Sequence, residues 1–507
     1  MEQIKKIKDQ LIRLGAGLGY RGMGRRQKLS FLAMLFISAL MPAGLGYAGV
    51  MNSVLTFLIL LTAKGNKLTR ILAGVVFLGL SFYIPVGLQY GRIKYPLVVS
   101  AMQTSYLEAS EFLREVDVTS LVLMLLCIVA IIVYISSARA FSLTKKMKVA
   151  ALIVCIGLTV NSYPKRSIAG LIAYYDKGNK ELADLARKTQ GVDTLEISGV
   201  DAKYKNIVVV IGESVSRDYL SLYGYQHDTT PWLKSAPGYF ATHYVSAAPN
   251  TFMSIPRTLS ISDGLNQQTK NNAVVLANKA GFTTWWLSNQ GFIGEYDTPS
   301  TVIAMNAQHQ YFLKQGDYFS DNKDDFLLLD KLETLLNGEQ KNSVFFIHMT
   351  GSHPDACERL NGFPVNFDIK DMPKISCYLA SINKLDAFIK RADGLLKRTN
   401  QPYALVYFSD HGMTVDRSAR PVRHGGEFKQ NYSVPFFIMA SDIKEHITVN
   451  QPVSAYDFLS IFSWLSGIKS KNIPAKSITD VNSGDIMVFD GSRMVRYVSL
   501  PDNSLVE

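Results

Sequence analysis

Only four cysteines occur in 507 residues, and no two of them form a CxxC pair. That removes the redox and metal motifs built on such pairs. Charged side chains are also scarce, at 19% against 48% apolar. A disordered chain does not fit that balance, and a chain of this length is no small disulfide scaffold. Histidine and tryptophan are missing from the first 200 residues altogether, since all eight and all four lie beyond them. Aqueous chemistry is therefore expected in the second half. The formal charge of +11 raises the question of nucleic acid. Much of the excess, however, sits beside apolar segments: Lys5, Lys6, Lys8, Arg13, Arg21, Arg25, Arg26 and Lys28 precede the first one. This placement reads as membrane orientation, and no nucleic-acid partner is expected.

Five apolar stretches are present, at about 29–47, 49–63, 70–90, 119–138 and 148–163. They predict an α-helical membrane domain with five transmembrane helices, although the second and fifth are shorter than the usual ~20 residues. Further hydrophobic segments follow the first without a gap, so the first is expected to remain as an anchor rather than be cleaved. Lys64, Lys67 and Arg70, and then Arg139, Lys145, Lys146 and Lys148, fall on the same side as the N-terminal basic cluster if there are five spans. The loop at 91–118, with Glu108, Glu111, Glu115 and Asp117, lies opposite. Everything after Pro164 is then delivered outside the cytoplasm. The expected domains are a membrane domain at 1–164, an amphipathic linker at 165–204 and a catalytic domain at 205–507. The linker reads either as a helix on the bilayer surface or as a solvated connector. Cys127 and Cys155 lie within apolar segments and read as small packed hydrophobes.

Beyond residue 205, NIVVVIGES, FTTWWLSNQ, SVFFIHMTG, YALVYFSDHG and SVPFFIMAS are continuous apolar runs that end in polar residues. Such runs suit buried strands of a largely parallel sheet covered by helices, an α/β soluble domain. Ligands of such sheets bind beyond the carboxyl ends of the strands. Three run ends carry metal-ligand residue types: Glu213, then His348 and His353, then the pair Asp410 and His411. A strand-terminal carboxylate such as Glu213 also serves as a helix cap. The adjacent Asp and His of SDHG supply the oxygen and nitrogen ligands that zinc accepts. Thr251, after AAPN, reads either as an ordinary N-cap or as a nucleophile at a helix start, where N–H groups favour an incoming phosphate.

The segments GESVSRDYLSLYGY (212–225), APNTFMSIP (248–256), GSHP (351–354), SDHG (409–412) and RHGGE (423–427) are specific as an ordered set. With the five membrane segments before them, the chain resembles the bacterial membrane phosphoethanolamine transferases of the alkaline phosphatase and sulfatase superfamily. The resemblance implies zinc, one ion tightly bound and a second optional, held by Glu213, Asp410 and His411, with Thr251 completing the site as nucleophile. It implies that His353 and His424 handle substrate phosphate or a second zinc, and that Asn289 contacts the head group. Coordination would lower the pKa of an otherwise poor threonine nucleophile. The implied reaction takes phosphatidylethanolamine as donor in the bacterial inner membrane, passes through phosphoethanolamine on Thr251, releases diacylglycerol and ends on a periplasmic acceptor.

Where many lipid A-modifying members carry cysteines flanking the threonine loop, this chain has Ala247 and Arg257. Cys357, Cys377 and SNQGFIGEYDT at 288–298 most resemble the subgroup that decorates osmoregulated periplasmic glucans. Outside the cytoplasm, Cys357 and Cys377 are expected to bond; otherwise they are two separate buried thiols. A glucan is the expected acceptor, with lipid A or the lipopolysaccharide core as alternatives. A phosphoglycerol transferase or an inactive membrane scaffold are competing functions. A sulfatase is disfavoured, because Ser254-Ile255-Pro256-Arg257 lacks the second serine of the C/S-x-P-S-R pattern.

Overall fold

A computed structural model describes residues 24–103, 116–137, 163–188, 192–290, 298–314, 323–338, 341–418 and 421–506. Two compact units emerge: residues 1–99 with 112–177, and residues 100–111 with 178–507.

The first unit is helical: α1 (Arg25–Gly44), α2 (Val50–Ala63), α3 (Lys67–Ser81), α4 (Ile84–Tyr90), α5 (Tyr95–Gln103), α6 (Val118–Ser136) and α7 (Tyr163–Lys188). The α7 helix runs through the boundary between the units. Among the described residues, α1 and α6 are long and apolar enough to cross a membrane, and α3 with α4 adds a third span if the bent pair counts as one. The expected third stretch is thus broken, with a 53° bend between α3 and α4. Pro85 stands at the start of α4, where its ring prevents a straight continuation from α3. The second stretch forms α2, whose 14 residues reach about 21 Å, less than a bilayer core of ~30 Å. The fifth stretch, 148–163, lies outside the described residues except for Tyr163, which starts α7. The five-span expectation is therefore matched by two helices, or three with the bent pair. Lys64, read from sequence as an orientation signal, turns inward. It donates to Ser30 and, at 2.6 Å, to Ser137 Oγ, over the ring of Tyr134.

The second unit is built on an eight-stranded sheet. In chain order its strands are β1 (Asn206–Gly212), β2 (Gly238–Ala241), β3 (Thr283–Ser288), β4 (His309–Phe312), β5 (Ser343–His348), β6 (Tyr403–Ser409), β7 (Phe436–Ala440) and β8 (His446–Val449). Their spatial order is β8-β2-β7-β6-β1-β5-β3-β4. The run from β6 through β1, β5 and β3 to β4 is parallel, whereas β7 is antiparallel to both β6 and β2. All five apolar runs read from the sequence are strands here. The edge strands β4 and β8, and β2 beside β8, escaped that reading because they are only four residues long.

The central strand shows why the runs are continuous rather than alternating. Ile207, Val209 and Ile211 join one hydrophobic cluster, while Val208 and Val210 join another. The second cluster includes Leu379, Ile382, Phe388 and Leu396 of a long helix, Pro373–Arg398. Both faces are dry, so both need apolar side chains, each worth about 1.5–3 kcal/mol when fully buried. Register then determines where the strands stop. Gly212 pairs with Ser409, and His348 pairs with both Ile211 and Ser288. The residues that follow β1, β3, β5 and β6 consequently emerge along one edge.

A disulfide joins Cys357 to Cys377, 20 residues apart. Cys377→Ser should lower unfolding stability by about 3 kcal/mol, the loss of loop-closure constraint in the unfolded chain. The check is the denaturation midpoint followed by tryptophan fluorescence, since all four tryptophans lie beyond residue 200. An unchanged midpoint that is also insensitive to reductant would contradict it.

Candidate active site

Glu213 directly follows β1, and Asp410 and His411 directly follow β6. Because β1 and β6 are parallel neighbours in register, all three arrive at the same point. Each offers one ligand atom, and these atoms lie within 4.8 Å of one another. The backbone bends tightly to achieve this. Ser214 adopts a left-handed conformation at φ 63°, and its hydroxyl donates to Glu213 Oε1 at 2.6 Å. Gly412 must be glycine, because a Cβ there would stand 2.1 Å from the carbonyl oxygen of Gln430.

Thr251 arrives from the opposite direction, as first residue of α8 (Thr251–Leu259). The N-cap is Asn250, whose side chain accepts from the Met253 amide at 3.0 Å. Thr251 is thereby released from capping, which removes the cap reading of this residue. Its hydroxyl instead donates to Glu213 Oε2 at 2.9 Å and stands 3.4 Å from His411 Nε2. Ser254, one turn along α8, and Ser246 both donate to the main-chain oxygen of Asp410. These two contacts tie the threonine helix to the Asp410 turn.

The electrostatics favour a cation. Burial pushes the Asp410 carboxyl up to about 7, reinforced by the nearby Glu213 charge. Burial also opposes ionisation of Glu213, but hydrogen bonding and attraction from His411 outweigh it and hold that carboxyl below its ordinary range. At His411 burial works against the charged form, yet Asp410 and Glu213 overcome it and raise the imidazole to about 9. Two dry carboxylates thus recruit a proton onto His411 to offset their charge.

The donor set fits a metal. Asp410 Oδ1 accepts from the Ser214 and His411 amides at 3.1 and 2.7 Å, whereas buried Asp410 Oδ2 has no hydrogen-bond partner. His411 Nδ1 is 3.0 Å from the Gly412 carbonyl oxygen, which can only accept. That bond fixes the tautomer and leaves Nε2 as ligand, the usual outer-shell arrangement of a metal-bound histidine. One orphan carboxylate oxygen, one oriented imidazole nitrogen, Glu213 and the Thr251 hydroxyl make an oxygen-rich site with a single nitrogen, within the range zinc accepts.

His424 and His353 line up beside this cluster. The His411 and His424 rings are 5.1 Å apart, and those of His424 and His353 are 5.4 Å apart. Burial, followed by His411 and His353, holds His424 well below its ordinary pKa. Its Nδ1 is buried without a hydrogen-bond partner. His348 does not join the group. As the last residue of β5 it is enclosed against Trp286, and burial pulls it down to about 4.

Asn289 is completely buried, and its amide nitrogen donates to the Lys323 carbonyl and Asp325 Oδ1, both at 2.8 Å. The residue that reaches the cluster from this loop is the next one. Gln290 Nε2 donates to the Met349 carbonyl at 2.7 Å and lies 3.4 Å from Glu213 Oε2. Sequence reasoning missed Gln290, Ser246 and Ser254. Ser254 carried a usable signal, since a residue three after Thr251 shares its helix face.

Residues 205–468 match the sulfatase family model. The chain is 32% identical over 484 residues to phosphoethanolamine transferase OpgE of Escherichia coli, covering 89% of this chain and 91% of that one. It is also 32% identical over 350 residues to a putative phosphoethanolamine transferase of Haemophilus influenzae, covering 66% and 71%. Its fold is similar to that of the integral membrane lipooligosaccharide phosphoethanolamine transferase A (EptA) of Neisseria meningitidis. The TM-score there is 0.61 at 16% identity, over 89% of this chain and 97% of that one. The C-terminal periplasmic domain of Escherichia coli EptC, solved in complex with Zn, gives a TM-score of 0.52 at 19% identity, over 61% and 97%. At such identities the structural likeness is one of fold.

A cation entering the cluster must displace the proton that His411 carries up to about pH 9. Zinc affinity should therefore rise roughly tenfold per pH unit from pH 7 toward 9 and then level off, because one proton is released per ion. Competition titrations against a chelator of known affinity measure this. A flat profile would rule out His411 as a ligand.

Proposed function

The chain belongs to the sulfatase family, among its phosphoethanolamine transferases, and from that membership we propose that it carries phosphoethanolamine from phosphatidylethanolamine, by way of Thr251, to a periplasmic glycan. The observation that supports this most is the Thr251 hydroxyl, 2.9 Å from Glu213 in the cluster that also contains Asp410 and His411. A hydroxyl freed from capping, at a helix start and beside a buried carboxylate, is arranged as a nucleophile.

Glu213, Asp410 and His411, with Thr251, would hold zinc, the metal present in the related EptC domain. A bound zinc ion supplies positive charge that lowers the pKa of the threonine hydroxyl and neutralises charge gathering on the phosphoryl oxygens. In the first displacement, Thr251 Oγ1 gives up its proton and forms a bond to the donor phosphorus. The bond from phosphorus to the diacylglycerol oxygen breaks, and that oxygen takes a proton as diacylglycerol leaves. In the second, an acceptor hydroxyl loses its proton, bonds to phosphorus and releases the threonine oxygen. His353 and His424 stand in a row with His411 and serve to hold the phosphoryl oxygens and move these protons. The start of α8, which carries Thr251, favours an incoming anion through the positive end of the helix.

Basic residues clustered before and between the apolar helices orient the catalytic unit to the periplasm under the positive-inside rule. An osmoregulated periplasmic glucan is the acceptor we favour, from the placement of Cys357 and Cys377 and the segment at 288–298. The amide nitrogen of Asn289 holds the loop that carries Gln290, and its Oδ1, which has no hydrogen-bond partner, is the atom we assign to the head-group ammonium.

Purified enzyme incubated with phosphatidylethanolamine should yield diacylglycerol and a Thr251 peptide heavier by one phosphoethanolamine group, read by mass spectrometry. Thr251→Ala should lose at least about 10³-fold in turnover, as expected when a covalent nucleophile is removed. Full lipid turnover by that variant would refute the assignment.

A further inference from the structure

The α7 helix presents three distinct faces along its first five turns. On one, Tyr163 is buried in the core shared by α1, α2 and α6, with its hydroxyl against Thr56. Ser167 is buried on the same side. Further along that side the Tyr174 ring lies 6.0 Å from Tyr95, and Lys177 sits 4.0 Å over the same ring. This face is therefore partnered by the helical unit. The second face is apolar and bare: Ile168, Leu171, Ile172 and Tyr175 are 39%, 48%, 56% and 52% exposed. Their spacing of three, one and three residues places them in one stripe on an α-helix. The third face is polar and exposed, with Lys165, Arg166, Asp176 and Lys180. At 100° per residue Lys165 and Asp176 adjoin the apolar stripe on the side away from the packed face, Lys180 follows them, and Arg166 lies opposite the stripe.

A solvated connector has no reason to expose four large apolar side chains in one line. A helix packed wholly within protein has no reason to carry a basic flank beside them. A helix lying in the plane of a bilayer interface needs both: an apolar stripe sunk to the level of the acyl chains, and lysine or arginine at head-group level with anionic phosphates. The packed face supplies the remaining argument. Tyr163 anchors the start of α7 in the same core as α1 and α6, the two helices long and apolar enough to cross a membrane. Those helices expose their own apolar side chains, among them Leu29 and Leu32 on α1 and Val122, Leu125 and Val129 on α6.

We infer that the Ile168-Leu171-Ile172-Tyr175 face of α7 is a bilayer-docking surface, lying at the boundary of head groups and acyl chains in the membrane that α1 and α6 cross. This role is independent of the transferase assignment, because it concerns where the helix lies and not what the active site does. It also selects one of the two readings the sequence allows for residues 165–204.

Nitroxide labels test it in the full-length chain reconstituted in nanodiscs of phosphatidylethanolamine and phosphatidylglycerol. Cys127 and Cys155 are replaced by serine, and Ile172→Cys and Arg166→Cys are labelled one at a time. Docking predicts that the label at 172 collides with oxygen several-fold more often, relative to a water-soluble nickel chelate, than the label at 166. Strong nickel access at both positions would mean a solvated connector. Protection of position 172 from both reagents would mean that protein, including a second copy, covers the stripe. Either result overturns the inference.

Discussion

Two carboxylates deprived of water set the terms for the catalytic unit. Glu213 and Asp410 are each only 1% exposed and end adjacent parallel strands, so their charges are forced together where solvent cannot screen them. Nearly every irregular feature around them offsets that cost. His411 is pulled toward its protonated form, Ser214 takes a left-handed backbone so that its hydroxyl can serve Glu213, and two amides converge on Asp410 Oδ1. A buried charge cluster of this kind persists only when it is paired or coordinated. Asp410 Oδ2 receives no hydrogen bond and faces His411 Nε2 at 3.6 Å.

Thr251 depends on the same cluster. With capping handed to Asn250, its hydroxyl is oriented by Glu213, and Ser246 and Ser254 bind the helix that carries it to the Asp410 turn. Thr251, Glu213, Asp410 and His411 therefore form one mechanical body. Behind them, Asp325 accepts from the Thr350 and Gly351 amides, both at 2.9 Å, and from Asn289. In this way the loops after β3 and β5 are locked beneath Glu213. Gly351, at φ +54°, brings its turn close enough that a Cβ would stand 2.9 Å from the Glu213 carbonyl oxygen.

The helical unit obeys a different solvent. Some of the polar groups inside it are matched within the unit: Tyr134 donates to the Leu60 carbonyl at 2.8 Å, and Lys64 reaches Ser30 and Ser137. Lys64 shows the limit of charge counting. Position along the chain marks it as an orientation signal, but its side chain is 3% exposed and works as a connector between helix ends.

Read alone, the sequence determined the order of a helical unit and an α/β unit, the five central strands and the residue types that gather where those strands end. These are carried by hydrophobic run length and residue type, both of which are local. It left open whether Thr251 and Glu213 are helix caps. Those answers depend on which side chain lies across the cleft, over separations of 38 residues from Thr251 to Glu213 and 160 from Thr251 to His411. Nor could it show that Gln290, beside Asn289, reaches Glu213, because that depends on how the chain turns after β3. Strand register brought four loop starts to one edge, and burial then converted ordinary carboxylates and imidazoles into a coupled group. Register and burial are properties of packing between distant segments, so only the tertiary structure could decide them.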